Sequence, residues 1–172
     1  MVHDWRNHES VARHMYRDSM IPFDEHSRWF SQVLADSPSS RYRVFEADGN
    51  PIGWMSLTRI DMGTQSCEWG GYLAPDCPRG RGLGRAMMAL SLDLAIVEMG
   101  LNRVVVEVLV ENSPAIRLYE SIGFVLEGRL RERAKQSNGV KDAFLYSVLS
   151  SEWLSNRSAT WSMIEPNSPN VE

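Results

Sequence analysis

A loop reading Arg79-Gly80-Arg81-Gly82-Leu83-Gly84-Arg85 lies between residues 66–73, a run fit for a strand, and a helical run reaching about residue 99. Its glycines let the backbone turn sharply and come close to a bound group. The first turn of the helix that follows leaves N–H groups without intrahelical partners and carries the positive end of the helix dipole. A strand, a glycine-rich turn and a helix in this order make a phosphate cradle. Arg79, Arg81 and Arg85 add charge at its rim. Two other phosphate motifs fail. No Gly-Lys-Ser/Thr follows the loop, so it is not an NTPase P-loop. A dinucleotide fingerprint would need Gly or Ala at position 85 or 87, where Arg85 and Met87 stand.

Around the loop the pattern is that of one mixed α/β domain. Residues 7–18 and 24–35 read as helices, the second with Trp29, Phe30, Val33 and Leu34 on one stripe. Residues 42–47 and 51–61 read as strands joined across Asp48-Gly49-Asn50, a hairpin signal. After the loop, Leu83, Met87, Leu90, Leu94 and Val97 fall on one helical stripe, and Gly100 ends that helix. Residues 103–109 form a β-branched strand, 112–122 a helix, and 124–133 and 140–149 two closing strands. We expect a domain over residues 1–154 and a polar, disordered tail over 155–172.

A net charge of −4 gives no basic excess for nucleic acid. No apolar run approaches the ~20 residues of a membrane helix, and the charged N-terminus is unlike a signal peptide. Cys67 and Cys77 are too few for a disulfide framework. A cytoplasmic protein is expected. The four histidines show no metal-ligand spacing, and no metal is expected in the chemistry.

Beginning 28 residues after Gly84 stands Asn112-Ser113-Pro114-Ala115-Ile116-Arg117-Leu118-Tyr119-Glu120-Ser121-Ile122-Gly123-Phe124. With the loop, it resembles the GNAT superfamily of N-acetyltransferases: an R/Q-x-x-G-x-G/A pyrophosphate loop followed by N-x-x-A-x-x-x-Y-x-x-x-G-F. The resemblance implies a mixed, mostly antiparallel sheet flanked by about four helices and splayed between residues 68–73 and 104–109. Acetyl-CoA is the implied co-substrate, with its pyrophosphate on residues 79–85, including Leu83. Its pantetheine arm would enter the splay, against backbone groups near Tyr72 and Leu73.

Asn112 and Tyr119 are seven residues apart, hence two turns along one helix face. A tyrosine there can protonate the departing CoA thiolate; the plain alternative is a core tyrosine with a satisfied hydroxyl. Glu107 interrupts the run Val104-Val105-Val106-Val108-Leu109, and Glu68 shares a strand face with Tyr72. Either carboxylate could bind the acceptor ammonium and take its proton, or simply pair with an arginine such as Arg59 or Arg131.

The N-terminal segment, with Trp5-Arg6-Asn7-His8, Met15-Tyr16 and Phe23-Asp24-Glu25-His26, and Cys67-Glu68-Trp69-Gly70 further on, resembles a narrower group. These are the nucleotide-sugar N-acetyltransferases of pseudaminic acid biosynthesis, which serve flagellin glycosylation. They acetylate a UDP-linked 4-amino-4,6-dideoxy-N-acetyl-altrosamine. By position, Arg6, His26, Thr58, Arg59 and Tyr72 would face the nucleotide. Met15, Tyr16, Trp29, Glu68 and Glu107 would line the sugar pocket. Such proteins usually carry a strand before the Trp-Arg-Asn segment, where this chain has only Met1 to Asp4. Either the sheet lacks its first edge strand or the start codon was placed too late, and loss of that strand would weaken stability and any homodimer. The competing acceptors are ribosomal protein N-termini and polyamines, and a non-catalytic acyl-CoA sensor is the competing class.

Overall fold

The computed structural model describes residues 1–35 and 37–164. In chain order it has α1 (Val2–Asn7), α2 (Glu9–Ala12), α3 (Phe23–Leu34), β1 (Arg41–Ala47), β2 (Asn50–Asp61), β3 (Ser66–Leu73) and α4 (Leu83–Leu92). A π-helical continuation, Asp93–Glu98, leads to β4 (Arg103–Leu109), α5 (Ser113–Ile122), β5 (Val125–Gln136), β6 (Gly139–Leu149) and α6 (Ser150–Ser162). The strands form one sheet in the order β1-β2-β3-β4-β6-β5. Every neighbouring pair is antiparallel except β3 with β4. Those two pair only through Ser66–Arg103, Cys67–Val104 and Glu68–Val105. Beyond Glu68 they part, which opens the expected notch.

Strand alternation divides the sheet into two faces. Leu57, Val104, Val106 and Val148 belong to the core face, where they pack with Met88, Leu92, Ile122 and Trp153, all at most 1% exposed. Trp54, Ser56 and Thr58 of β2 stand opposite Tyr72, Gly70 and Glu68 of β3 and share the other face. Glu68 is in turn opposite Val105, which puts Glu107 on that face too. At the β1–β2 turn Asp48 and Gly49 both have positive φ (50° and 72°), the two-residue hairpin geometry that the Asp-Gly signal favours.

Several expectations need correction. In place of the helix expected over residues 7–18 stands only the four-residue α2, with α1 ending before it, because the chain turns at His8, whose ring accepts a bond from the Ser10 amide. Met15 and Tyr16 therefore lie on a turn. Asn7 ties that segment back by bonding both ways with Ile21, and Gln136 donates to the carbonyls of Arg13 and Met15. In α3 the buried residue is His26, while Leu34 is 72% exposed. The stripe after the loop also breaks: the wider π-helical turn shifts its phase, Ala95 and Ile96 face inward, and Val97 is 53% exposed. The polar run from Ser155 does not begin a disordered tail. It continues α6 to Ser162, with Thr160 buried and Trp161 packed on the core. Arg157 and the Trp153 indole both bond Asp93 of the π-helical turn. The remainder of the expected tail, 165–172, lies outside the described residues.

Candidate active site

Two adjoining cavities open around the notch, of 380 and 470 Å³. The first lies on the N-terminal side, between Trp29 and His26 of α3 and Trp54 and Tyr72 of the sheet. The second takes Glu68 and Glu107 from one face of the sheet, and Trp69 and Tyr119 from the core side. Its walls thus come from both faces, as a passage through the notch requires. Arg6 and Met15 line both cavities.

The loop sits where β3 runs into α4. Gly82 is the N-cap of α4 with φ +75°, and no side chain caps the helix. Gly80 is also left-handed, with φ +77°. Gly84 has no such constraint, and a Cβ there would make ordinary contacts with Leu118 and Leu73. The fold needs the glycine at 82 for its backbone; at 84 the glycine leaves room above the first turn. Arg79 bonds the Ala74 carbonyl and Arg85 lies against the Met163 sulfur. The loop and Leu73 line neither cavity.

Asn112 caps α5 by accepting from the Ala115 amide, and Tyr119 follows two turns later. The Tyr119 ring packs against Trp69, Phe124 and Tyr146. Its hydroxyl makes no hydrogen bond to a described residue, unlike the satisfied core tyrosine of the alternative reading. Burial raises its pKa, so it is protonated at neutral pH.

Each carboxylate that lines the two cavities has a cation. Glu25 pairs with Arg17 at 2.6 Å, Glu68 with Arg59 at 2.8 Å and Glu107 with Arg133 at 2.7 Å. Tyr16 also donates to Glu107 at 2.5 Å. Burial works to raise the Glu107 pKa, but the bonds from Arg133 and Tyr16 outweigh it, and the net shift is downward. That makes Glu107 a weaker base than an ordinary carboxylate. Its arginine partner is Arg133, not Arg131. Arg59, at a β2 irregularity with φ +50°, pairs with Glu68, and neither it nor Thr58 lines either cavity.

Three buried nitrogens around the cavities have no partner among the described residues: Arg6 Nη1, His26 Nε2 and Trp69 Nε1. The other terminal nitrogen of Arg6 donates to the Arg17 carbonyl at 2.7 Å. Burial lowers the pKa of His26 and keeps it neutral at pH 7. Sequence reasoning missed Trp54 and Arg133. Alternation along residues 51–61 signals which neighbours share Trp54's face. Nothing in the sequence signals Arg133, because a strand irregularity delivers it. Among the described residues no group of three or more His, Cys, Asp or Glu side chains is placed to hold a metal ion.

A family model described as an acetyltransferase (GNAT) domain matches residues 1–125. The spermidine N(1)-acetyltransferase of Vibrio cholerae is 29% identical over 157 residues, covering 91% of this chain and 90% of that protein. The acetyltransferase PseH of Campylobacter jejuni is 29% identical over 126 residues, covering 73% and 76%. The crystal structure of the Vibrio cholerae spermidine enzyme with CoA and spermine superposes with a TM-score of 0.81 at 28% identity, over 89% of this chain and 90% of that one. The polyamine enzyme therefore matches a longer share of the chain than PseH does.

Proposed function

This chain belongs to the acetyltransferase (GNAT) family and is an N-acetyltransferase, and we propose that its acceptor is the amine of a nucleotide-linked 4-amino-4,6-dideoxy sugar. The observation that carries this reading is the balance of charge and hydrogen bonding in the acceptor cavities. Their carboxylates already have arginine partners, while Arg6 Nη1 and Trp69 Nε1 are donors left without acceptors. A sugar nucleotide offers phosphate and hydroxyl oxygens to such donors and a base to the aromatic wall of Trp29, Trp54 and Tyr72. A protonated polyamine offers only more donors.

In the reaction we infer, the pyrophosphate of acetyl-CoA caps α4 at residues 82–85 and the pantetheine arm lies in the notch. The amine approaches from the face that carries Glu68 and Glu107. Its nitrogen lone pair attacks the thioester carbonyl, the carbon–sulfur bond breaks as the tetrahedral adduct collapses, and Tyr119 protonates the departing thiolate. The ammonium proton leaves through water. Glu107 then serves to hold the amine, and Glu68, more exposed and held by one arginine, is the better placed of the two to accept a proton.

A polyamine acceptor is the second reading, supported by the longer match to spermidine acetyltransferases. Replacing Arg6 separates the two. Each charge-assisted bond to a phosphate contributes about 1.5–3 kcal/mol. With a UDP-amino sugar, Arg6→Ala should raise the acceptor's KM about ten- to a hundredfold and leave that of acetyl-CoA unchanged. A polyamine enzyme would gain affinity for its cationic acceptor, or keep it, on losing this arginine.

A further inference from the structure

Arg133 reaches the acceptor side by an unusual route. The register between β5 and β6 breaks between Leu130 and Ala134, and Glu132 inside that break has φ +52°. A non-glycine residue holds this conformation only where its surroundings impose it. Here Asp142 of β6 imposes it, accepting from the Glu132 amide at 2.7 Å and from Arg129 at 2.6 Å. The bulge turns Arg133 toward the cavity. Its guanidinium then bonds both oxygens of Glu107, at 2.7 and 3.3 Å, and lies 5.1 Å from the centre of the Tyr16 ring. Tyr16, on its clamped turn, donates to the same Oε2 that takes the shorter arginine bond. Oε1 carries only the longer one.

We propose that Arg133 is a positioning residue of the acceptor site: the β5 bulge presents it so that Glu107 and Tyr16 form one locked unit, whose less occupied Oε1 receives the acceptor's amine. The inference rests on the acetyl-transfer reading of this cleft. Two positive charges, Arg133 and the more distant Arg59, act on the carboxylate; Arg6, His14 and Arg17 stand around the same cavity, with Glu68 as the opposing charge. Without Arg133 the Glu107 pKa moves up. The acid limb of kcat/KM, set by Glu107 losing its charge, then moves to higher pH.

The test has two arms on folded Arg133→Gln and Arg133→Lys proteins. In the first, with no substrate present, the Glu107 carboxyl is titrated by carbon NMR and assigned by its absence in Glu107→Gln. Arg133→Gln should titrate at higher pH than the wild type, with Arg133→Lys in between; an unmoved titration overturns the proposal. In the second, the acceptor KM and the pH profile are measured with whichever amine the wild type acetylates. Arg133→Gln should raise the acceptor KM about tenfold, as loss of a charge-assisted hold implies, with Lys restoring part of it and acetyl-CoA unaffected. An unchanged acceptor KM, or equal losses in KM for both substrates, also overturns it. If no amine is acetylated, the functional reading fails, and the titration still decides the arginine's hold on Glu107.

Discussion

The Tyr119 hydroxyl is positioned by its ring, packed among Trp69, Phe124 and Tyr146, and by the cap that Asn112 places two turns earlier. Replacing it by Phe keeps that packing and removes only the hydroxyl. Turnover of Tyr119→Phe should fall by about 10²–10⁴ if it is the general acid, with little change in either KM; steady-state kinetics with a saturating acceptor reads this. Turnover within about twofold of wild type would remove Tyr119 from the mechanism. Its position was legible in the sequence, since a seven-residue spacing on a helix fixes a shared face whatever surrounds it. Glu107 was legible as an oddity, a charge in an apolar strand, but its partner was not. Arg131 and Arg133 have the same parity along an ordinary strand, and the bulge with Glu132 at positive φ decides between them.

The loop leading into α4 and the closing helix α6 show opposite degrees of legibility. Glycine spacing marked the loop because positive φ at positions 80 and 82 is a backbone need that composition records. Gly84→Ala should bind acetyl-CoA close to wild type, since a single Cβ makes only ordinary contacts. Gly84→Val should bind it far more weakly by calorimetry while staying folded. Normal binding by the valine protein would move the pyrophosphate elsewhere. α6 was hidden because Ser, Asn and Arg dominate its exterior, while Trp153, Thr160 and Trp161 do the packing at irregular intervals. A chain ending at Leu154 loses the Trp161 contact and the Arg157–Asp93 pair. Its stability should drop by about 3–5 kcal/mol, the usual cost of removing a large core side chain. At about 2–4 °C per kcal/mol that is a Tm lower by roughly 10 °C. An unchanged melting curve would mean that the part of α6 beyond Leu154 does not contribute to the core.

The chain is a sheet with a notch, its glycine-rich loop leading into the core-face helix α4 and aromatic and charged side chains gathered on the opposite face. The notch was anticipated through the GNAT resemblance that the two motifs carry, and it lies where the pairing of β3 with β4 stops after Glu68. The acceptor is a different matter. Overall likeness leans toward spermidine acetyltransferases, whereas neutralised carboxylates and orphaned donors lean toward an anionic, oxygen-rich acceptor. Ion pairing of this kind depends on contacts between distant segments, and counting Arg and Glu in the sequence does not reveal it. The deciding measurement is release of free CoA thiol from acetyl-CoA, with product mass, across UDP-linked 4-amino sugars, the same sugars without UDP, spermidine and an N-terminal peptide. We expect rapid release and a product heavier by one acetyl group with a UDP-4-amino sugar, and slow reaction with the free sugar and with spermidine. Efficient acetylation of spermidine with none of any UDP-amino sugar would contradict the acceptor assigned here.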